Sequence, residues 1–220
     1  MLSQTLSLTR SRWIGALLIS SLILAITAIL IVGLFTPEEV RFDLMYSNPD
    51  RVVASQALAP FRGVLTVSNT LTFLAFAVIA LGLFLLTPAL RQPSTRLFSR
   101  VGSGLGAIAI SAWAIATYQR LALELVDIHQ TSDIPPLGEI VGLDMVAQRL
   151  AIMCFTASVA FYGFSLFRSG ILRRTGIVTA VLNGIVAVIA LLLFLQSSGF
   201  PPVVLIVCTV AIGVGLMLRR

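Results

Sequence analysis

The sequence predicts an all-α fold, a polytopic membrane protein built as a bundle of six transmembrane helices with both termini on the cytoplasmic side. Three observations predict it. Six long apolar runs fill most of the 220 residues. Only 11% of the chain is charged, against about 25% in ordinary soluble domains, and the mean hydropathy is +1.02. The charges between the runs also sort by side. Backbone in hydrocarbon must satisfy its own hydrogen bonds, so spans are helices or closed barrels. Barrel strands alternate apolar and polar over about 10 residues. These runs are apolar on every face, which selects helices in a single domain over 1–220.

The first span is expected over 13–35, behind Arg10 and Arg12. Its apolar run is longer than a signal-peptide core and no small-residue cleavage site follows cleanly, so an uncleaved first helix is expected. The second span is expected over 63–86, the third over 102–123 and the fourth over 150–167. The fifth is expected over 176–196 and the sixth over 202–218. Each is near the roughly 20 residues that a helix needs to cross the hydrocarbon.

Arg10, Arg12, Arg91, Arg96, Arg100, Arg168, Arg173, Arg174, Arg219 and Arg220 fall on one side, with no acid among them. The other side holds all nine acids and only Arg41, Arg51, Arg62, Arg120 and Arg149. Basic residues collect in cytoplasmic loops, so this split places both termini inside and points to a bacterial inner membrane. The net charge of +6 is thereby a matter of topology. Arginines scattered in ones to threes, with no basic stripe or aromatic platform, exclude a nucleic-acid partner. The lipid bilayer is the first partner.

Two outer loops are long, and each is expected to hold a short helical segment. In 36–62, Ser47 or Asn48 can cap a helix with Pro49 in its first turn and Asp50 near its N-terminus, while Pro60 bends the chain at the interface. In 127–149, Leu137 to Gln148 can extend the fourth helix outward beyond Pro135-Pro136. The loop 197–201 is short and uncharged, making the last two spans a hairpin. Three spans followed by three of opposite sense is the parity that an inverted repeat requires, but no internal sequence symmetry accompanies it.

The third span is small-sided: Gly102, Gly104, Gly106, Ala107, Ala109, Ser111, Ala112, Ala114 and Ala116. Small residues let helix backbones approach, and Gly102–Gly106 has GxxxG spacing. This span is therefore expected to be the packing centre. Its small face serves packing within the chain or, alternatively, a homodimer seam.

Candidate chemistry is sparse. There is no lysine, which excludes Schiff-base chemistry, and one histidine, His129, which excludes a haem held by two histidines of the chain. No cofactor is expected. Asp127, His129 and Asp133 lie close together in an outer loop, but metal sites want three or four converging ligands, and a solvated loop is the simpler reading. Gly102-Ser103-Gly104 has the look of a serine-protease turn, yet it lies on the side opposite the histidine.

Arg62, Arg120 and Arg149 stand out as candidate ligand-binding residues. They fall near the outer ends of the second, third and fourth spans at comparable depth, against the usual charge bias. They either snorkel and pair with outer acids, Arg120 with Glu124 one turn away for about 0.3 kcal/mol, or bind an anionic headgroup or carboxylate. Asn69, Thr72, Ser158 and Asn183 lie within spans and are expected to form interhelical hydrogen bonds worth about 0.6 kcal/mol each. No acid or base sits near a span midpoint, which counts against ion-coupled pumping. Cys154 and Cys208 read as small buried apolar residues. Trp113, Tyr118, Phe161 and Tyr162 either line a pocket or simply pack.

Phe167-Arg168-Ser169-Gly170, then Arg174 and Gly176 opening an apolar helix, resembles a bacterial membrane family catalogued as domain of unknown function 4386. The stretch from Ala54 through Phe61-Arg62 is similar to that family's entry into its second helix. The resemblance implies about six helices and no established activity. Arg173 stands where the family suggests a proline, and the fourth span lacks a histidine that many members carry.

These features support a non-enzymatic accessory or scaffold subunit, or a binder of lipid or another hydrophobic ligand. A passive transporter for a small anionic solute, gated at the Arg62, Arg120 and Arg149 level, is the first alternative. A membrane enzyme using the outer acids and His129 is the second.

Overall fold

The computed structural model describes residues 7–37, 59–90, 92–125, 137–192 and 203–218, with side chains described for these except Ala59, 119–125, 137–145 and Val203. Among the described residues six α-helices follow in chain order: α1 (Leu8–Phe35), α2 (Arg62–Leu86), α3 (Arg96–Leu125), α4 (Leu137–Ser169), α5 (Arg173–Leu192) and α6 (Val203–Met217). Five are long and apolar enough to cross a membrane. The described α6 is apolar but only 15 residues long. The protein is therefore a polytopic helical bundle of the membrane.

α1, α3 and α4 outrun the apolar windows that mark them. α1 starts at Leu8, where the Ser7 hydroxyl accepts a hydrogen bond from the Arg10 backbone N–H at 3.3 Å. α3 starts at Arg96, six residues before the expected Gly102, and α4 begins at Leu137 as one helix of 33 residues. The apolar window locates hydrocarbon, whereas arginine is a good helix former and can continue the helix through the interface. The expected extension of the fourth helix by Leu137–Gln148 is thus present. The expected helix at Pro49 lies outside the described residues. Pro60 sits in a 3-10 turn, Ala59–Phe61, directly before α2.

Neighbours in sequence are neighbours in space, and α6 packs back on α1 to close a ring. The pairings run antiparallel. Along α1 and α2, the Arg10 guanidinium donates to the Leu85 carbonyl at 3.4 Å and the Ser68 hydroxyl donates to the Ala28 carbonyl at 3.0 Å. Along α1 and α6, the Ser11 hydroxyl donates to the Leu216 carbonyl at 3.2 Å. Two of the ring's seams are glycine on glycine. A Cβ on Gly15 would stand 2.6 Å from the Gly213 carbonyl oxygen, and one on Gly163 would stand 2.8 Å from that of Gly176. Without a hydrophobic driving force between helices in lipid, such backbone proximity is a main source of association.

The packing centre is α4 rather than α3. The apolar window of α4 is 61% buried, against 39% for α3 and 22% for both α1 and α5. Ala151, Phe155, Val159, Tyr162 and Leu166 are wholly covered. The small face of α3 is a socket for this helix: Gly102 meets Tyr162 and the Ser158 carbonyl, and Gly106 meets the Ser158 hydroxyl and Phe84. Gly104, between them, faces open space. The GxxxG pair is therefore engaged within the chain.

The α4–α5 turn explains the Arg168-Ser169-Gly170 motif. Gly170 has φ +73, a left-handed conformation that suits a helix C-terminus and disfavours a side chain. Its N–H bonds the Phe167 carbonyl at 3.2 Å, while the Ser169 hydroxyl donates to the Leu166 carbonyl at 3.0 Å. The antiparallel ring brings Arg10, Arg12, Arg96, Arg100, Arg168, Arg173 and Arg174 to one end of the bundle. Arg62, Arg120 and Arg149 lie at the other, where the helix positions of Glu124, Glu139 and Asp144 also fall.

Candidate functional site

α2, α3 and α4 enclose an axis along which side chains change character layer by layer. The layer at the acid-bearing end holds Arg62 and Arg149, both half-buried, with position 120 on the same level of α3. The heptad spacing from 62 to 69 puts Arg62 two turns above Asn69 on one face of α2, about 10 Å along the axis. The spacing 113, 116, 117, 120 likewise gathers Trp113, Ala116, Thr117 and position 120 on one face of α3. These three positions share one end of the bundle, and a feature lined by other residues lies near them.

That feature is a small cleft lined by Asn69, Thr72, Trp113, Ala116, Thr117 and Gln148. It has about 20 Å³ of space for water centres within an open volume of about 230 Å³. One ordered water needs roughly 10–15 Å³ by that measure. The lining carries no charge and mixes the polar side chains of Asn69, Thr72, Thr117 and Gln148 with the apolar Trp113 and Ala116. Thr117 and Gln148 carry little weight in the sequence because each is a single polar residue at a span's outer margin. The heptad that links Trp113 to Arg120 is the signal that finds the α3 wall.

Below the cleft the axis is closed. Phe76 lies one turn past Thr72, with its ring 4.2 Å from that of Trp113 and 5.3 Å from that of Phe155. All three are buried. Trp113 therefore both lines the cleft and packs. Ile79, Leu83, Ala109 and Val159 continue the seal as aliphatic layers.

At the arginine-rich end, three hydroxyls close the axis again. The Tyr162 hydroxyl lies 2.6 Å from that of Thr87 and 2.7 Å from that of Ser103, and Thr87 and Ser103 are 2.9 Å apart. Ser103 also donates to the Ser99 carbonyl at 3.0 Å. The cluster ties α2, α3 and α4 together with neutral groups. Ser103 is thus a packing residue, and Gly102 beside it serves α4.

The polar residues within spans divide by role. Ser158 donates across to the Gly102 carbonyl at 2.7 Å, the interhelical bond expected of it. Thr72 instead donates to the Ser68 carbonyl of its own helix at 2.9 Å, and Asn183 to the Thr179 carbonyl of its own at 3.1 Å. The Asn183 amide oxygen is buried with no hydrogen-bond partner among the described residues. Cys154 and Cys208 are buried free thiols.

Asp127, His129 and Asp133 lie outside the described residues, as does the expected Arg120–Glu124 pairing of side chains. Among the described residues, no group of three His, Cys, Asp or Glu side chains converges on a point. The fold and the arrangement of its layers define a class, a polytopic helical membrane protein with a closed axis and a small uncharged cleft toward one end. No family model, curated protein or solved structure matches the chain.

Proposed function

We propose that the chain is a six-span protein of a bacterial inner membrane, with both termini cytoplasmic, that binds an amphiphilic anion without transforming it. The acidic head of the ligand rests at the level of Arg62, Arg120 and Arg149, and its apolar part lies along the bundle. The observation that supports this reading is the cleft near those positions. Its amide and hydroxyl walls suit a hydrated carboxylate or phosphate, and its space suits ordered water rather than a whole solute. Arginine is matched to such heads by its planar donor fork. The ten-to-five split of arginines supports the orientation, and the apolar run that α6 shares with 202–218 supports the sixth crossing. Kinship with the domain of unknown function 4386 family belongs to the same proposal and rests on the Phe167–Gly170 turn.

The chain holds two tryptophans, and Trp13 is 70% exposed on α1. A Trp13→Phe variant leaves Trp113, in the cleft lining, as the reporter. Titration with dodecyl phosphate or dodecanoate in nanodiscs should change Trp113 emission saturably. Arg62→Gln with Arg149→Gln should abolish the change. A flat titration for the parent, or an unaltered one for the double variant, sinks the proposal.

A second reading, passive conduction of a small anion, draws on the same arginine level. The Phe76–Trp113–Phe155 layer weighs against it, because an ion would have to cross a dry aromatic seal. Anion flux into proteoliposomes above that of protein-free vesicles, and dependent on Arg62, would favour this second reading.

A further inference from the structure

The opposite end of the bundle carries a different feature. Phe98 on α3 lies edge-on to Phe164 of α4 at 4.7 Å and stacks near Phe161 at 6.4 Å, and Phe164 continues to Phe167 at 6.2 Å. All four rings are half-buried, so they form a strip along the α3–α4 seam that stays in contact with the surroundings. Two guanidiniums cover its end: Arg168 lies 5.6 Å over the Phe164 ring and Arg173 5.9 Å over the Phe167 ring. Both arginines are exposed.

A guanidinium resting over a ring face is held there by the cation–π attraction, and its five N–H donors remain able to bind an anion. Among the described residues of α3, α4 and α5 around this end no carboxylate is at hand to neutralise the two arginines, because positions 87–118 and 145–192 contain no Asp or Glu. From Arg168 back to Phe161 is two helical turns, about 10 Å toward the middle of the membrane. A charged head at the two arginines would therefore have its first methylenes beside Phe164 and Phe161.

We propose that Arg168, Arg173 and the Phe98, Phe161, Phe164 and Phe167 strip form a site for one anionic diacyl phospholipid. The phosphate sits between the two guanidiniums and an acyl chain follows the rings. A free phosphate would use only the arginines, and the half-exposed rings reaching into the hydrocarbon select the lipid. The site is separate from the outer cleft and does not depend on it.

The test is lipid retention. The full chain is reconstituted in phosphatidylcholine vesicles containing a minor fraction of phosphatidylglycerol, extracted gently, and its bound lipids counted by native mass spectrometry. The parent should enrich phosphatidylglycerol about tenfold or more over its share in the vesicle, as expected for two arginines at the membrane surface. Arg168→Gln with Arg173→Gln should remove most of that enrichment. Arg10→Gln with Arg12→Gln, which removes the same charge from α1 at the same end, should leave it intact. Glycerol phosphate, which has the head and no chains, should not compete. No enrichment by the parent overturns the proposal. So does an equal loss in both double variants, which would mark diffuse attraction. Displacement by glycerol phosphate would overturn the lipid assignment and mark a plain anion site.

Discussion

Replacing Gly163 by alanine adds one methyl group where two helix backbones touch. The new Cβ would lie 2.7 Å from the Ala180 nitrogen and 2.8 Å from the Gly176 oxygen, both backbone atoms. Ordinary contact begins near 3.4 Å, so α4 and α5 must part by about 0.7 Å. A gap of about 0.5–1 Å forfeits a quarter to a half of each dispersion contact it opens, and overpacking of this kind costs about 1–3 kcal/mol. The loss is felt in full because lipid offers no hydrophobic drive to hold the pair together. Gly104→Ala is the matched control. It makes the same chemical change on α3 where nothing lies within 4 Å, and should be neutral or stabilising by up to about 1 kcal/mol. The two variants, unfolded side by side in the same detergent by heat or by a denaturing detergent titration, should differ by about 2 kcal/mol, roughly a thirtyfold change in the folded-to-unfolded ratio. Equal stabilities would refute the argument that the Gly163–Gly176 contact holds the α4–α5 seam.

Tyr162→Phe should cost about 1 kcal/mol in the same assay, since Thr87 and Ser103 keep each other and one Tyr162 hydrogen-bond partner is lost from each. Gly170→Ala should cost about 1 kcal/mol through its positive φ alone, with no steric clash, and Gly170→Asn should recover part of it. Phe76→Ala removes the ring between Trp113 and Phe155; a loss of about 3 kcal/mol is expected, along with a shift of Trp113 emission toward that of a wetter site. A reporter fused after Arg220 should read cytoplasmic, and a signal from the opposite side would remove either the sixth crossing or the assigned orientation.

Five of the spans, in their order, were legible because lipid imposes a crude requirement, about 20 apolar residues in a row, that any window can detect. Their ends were not, because arginine and serine at 96–101 are as compatible with helix as with loop, and the interface accepts either. Gly102 and Gly106 were legible as a close-packing face, while their partner was not. Nothing in α4 advertises that Ser158 and Tyr162 fill that face, since a serine and a tyrosine in a span announce only that some neighbour must satisfy them. The Gly163 and Gly176 contact was invisible for a related reason: two isolated glycines on different helices have no spacing to read. Arg62, Arg120 and Arg149 were singled out by their common depth, whereas the cleft is lined by other residues of the same three helices. Its Thr117 and Gln148 walls required knowing which faces of α3 and α4 turn inward.

The mutual packing of α3 and α4 bears on how the chain enters its membrane. These two are the least apolar of the five long helices, with hydropathy of 1.4 and 1.8 against 2.8, 2.5 and 2.3 for α1, α2 and α5. They also share the most extensive helix–helix contact in the bundle. The two helices that gain least from lipid thus gain most from each other. While α4 is still being synthesised, α3 has Gly102, Ser103 and Gly106 turned toward acyl chains or toward the insertion machinery, with Ser158 and Tyr162 not yet delivered. The energetically sound unit of insertion at this point is the hairpin, released sideways once both arms exist. A chain that stalls at the α3–α4 loop would present the cell with a span whose small polar face has nothing to cover it.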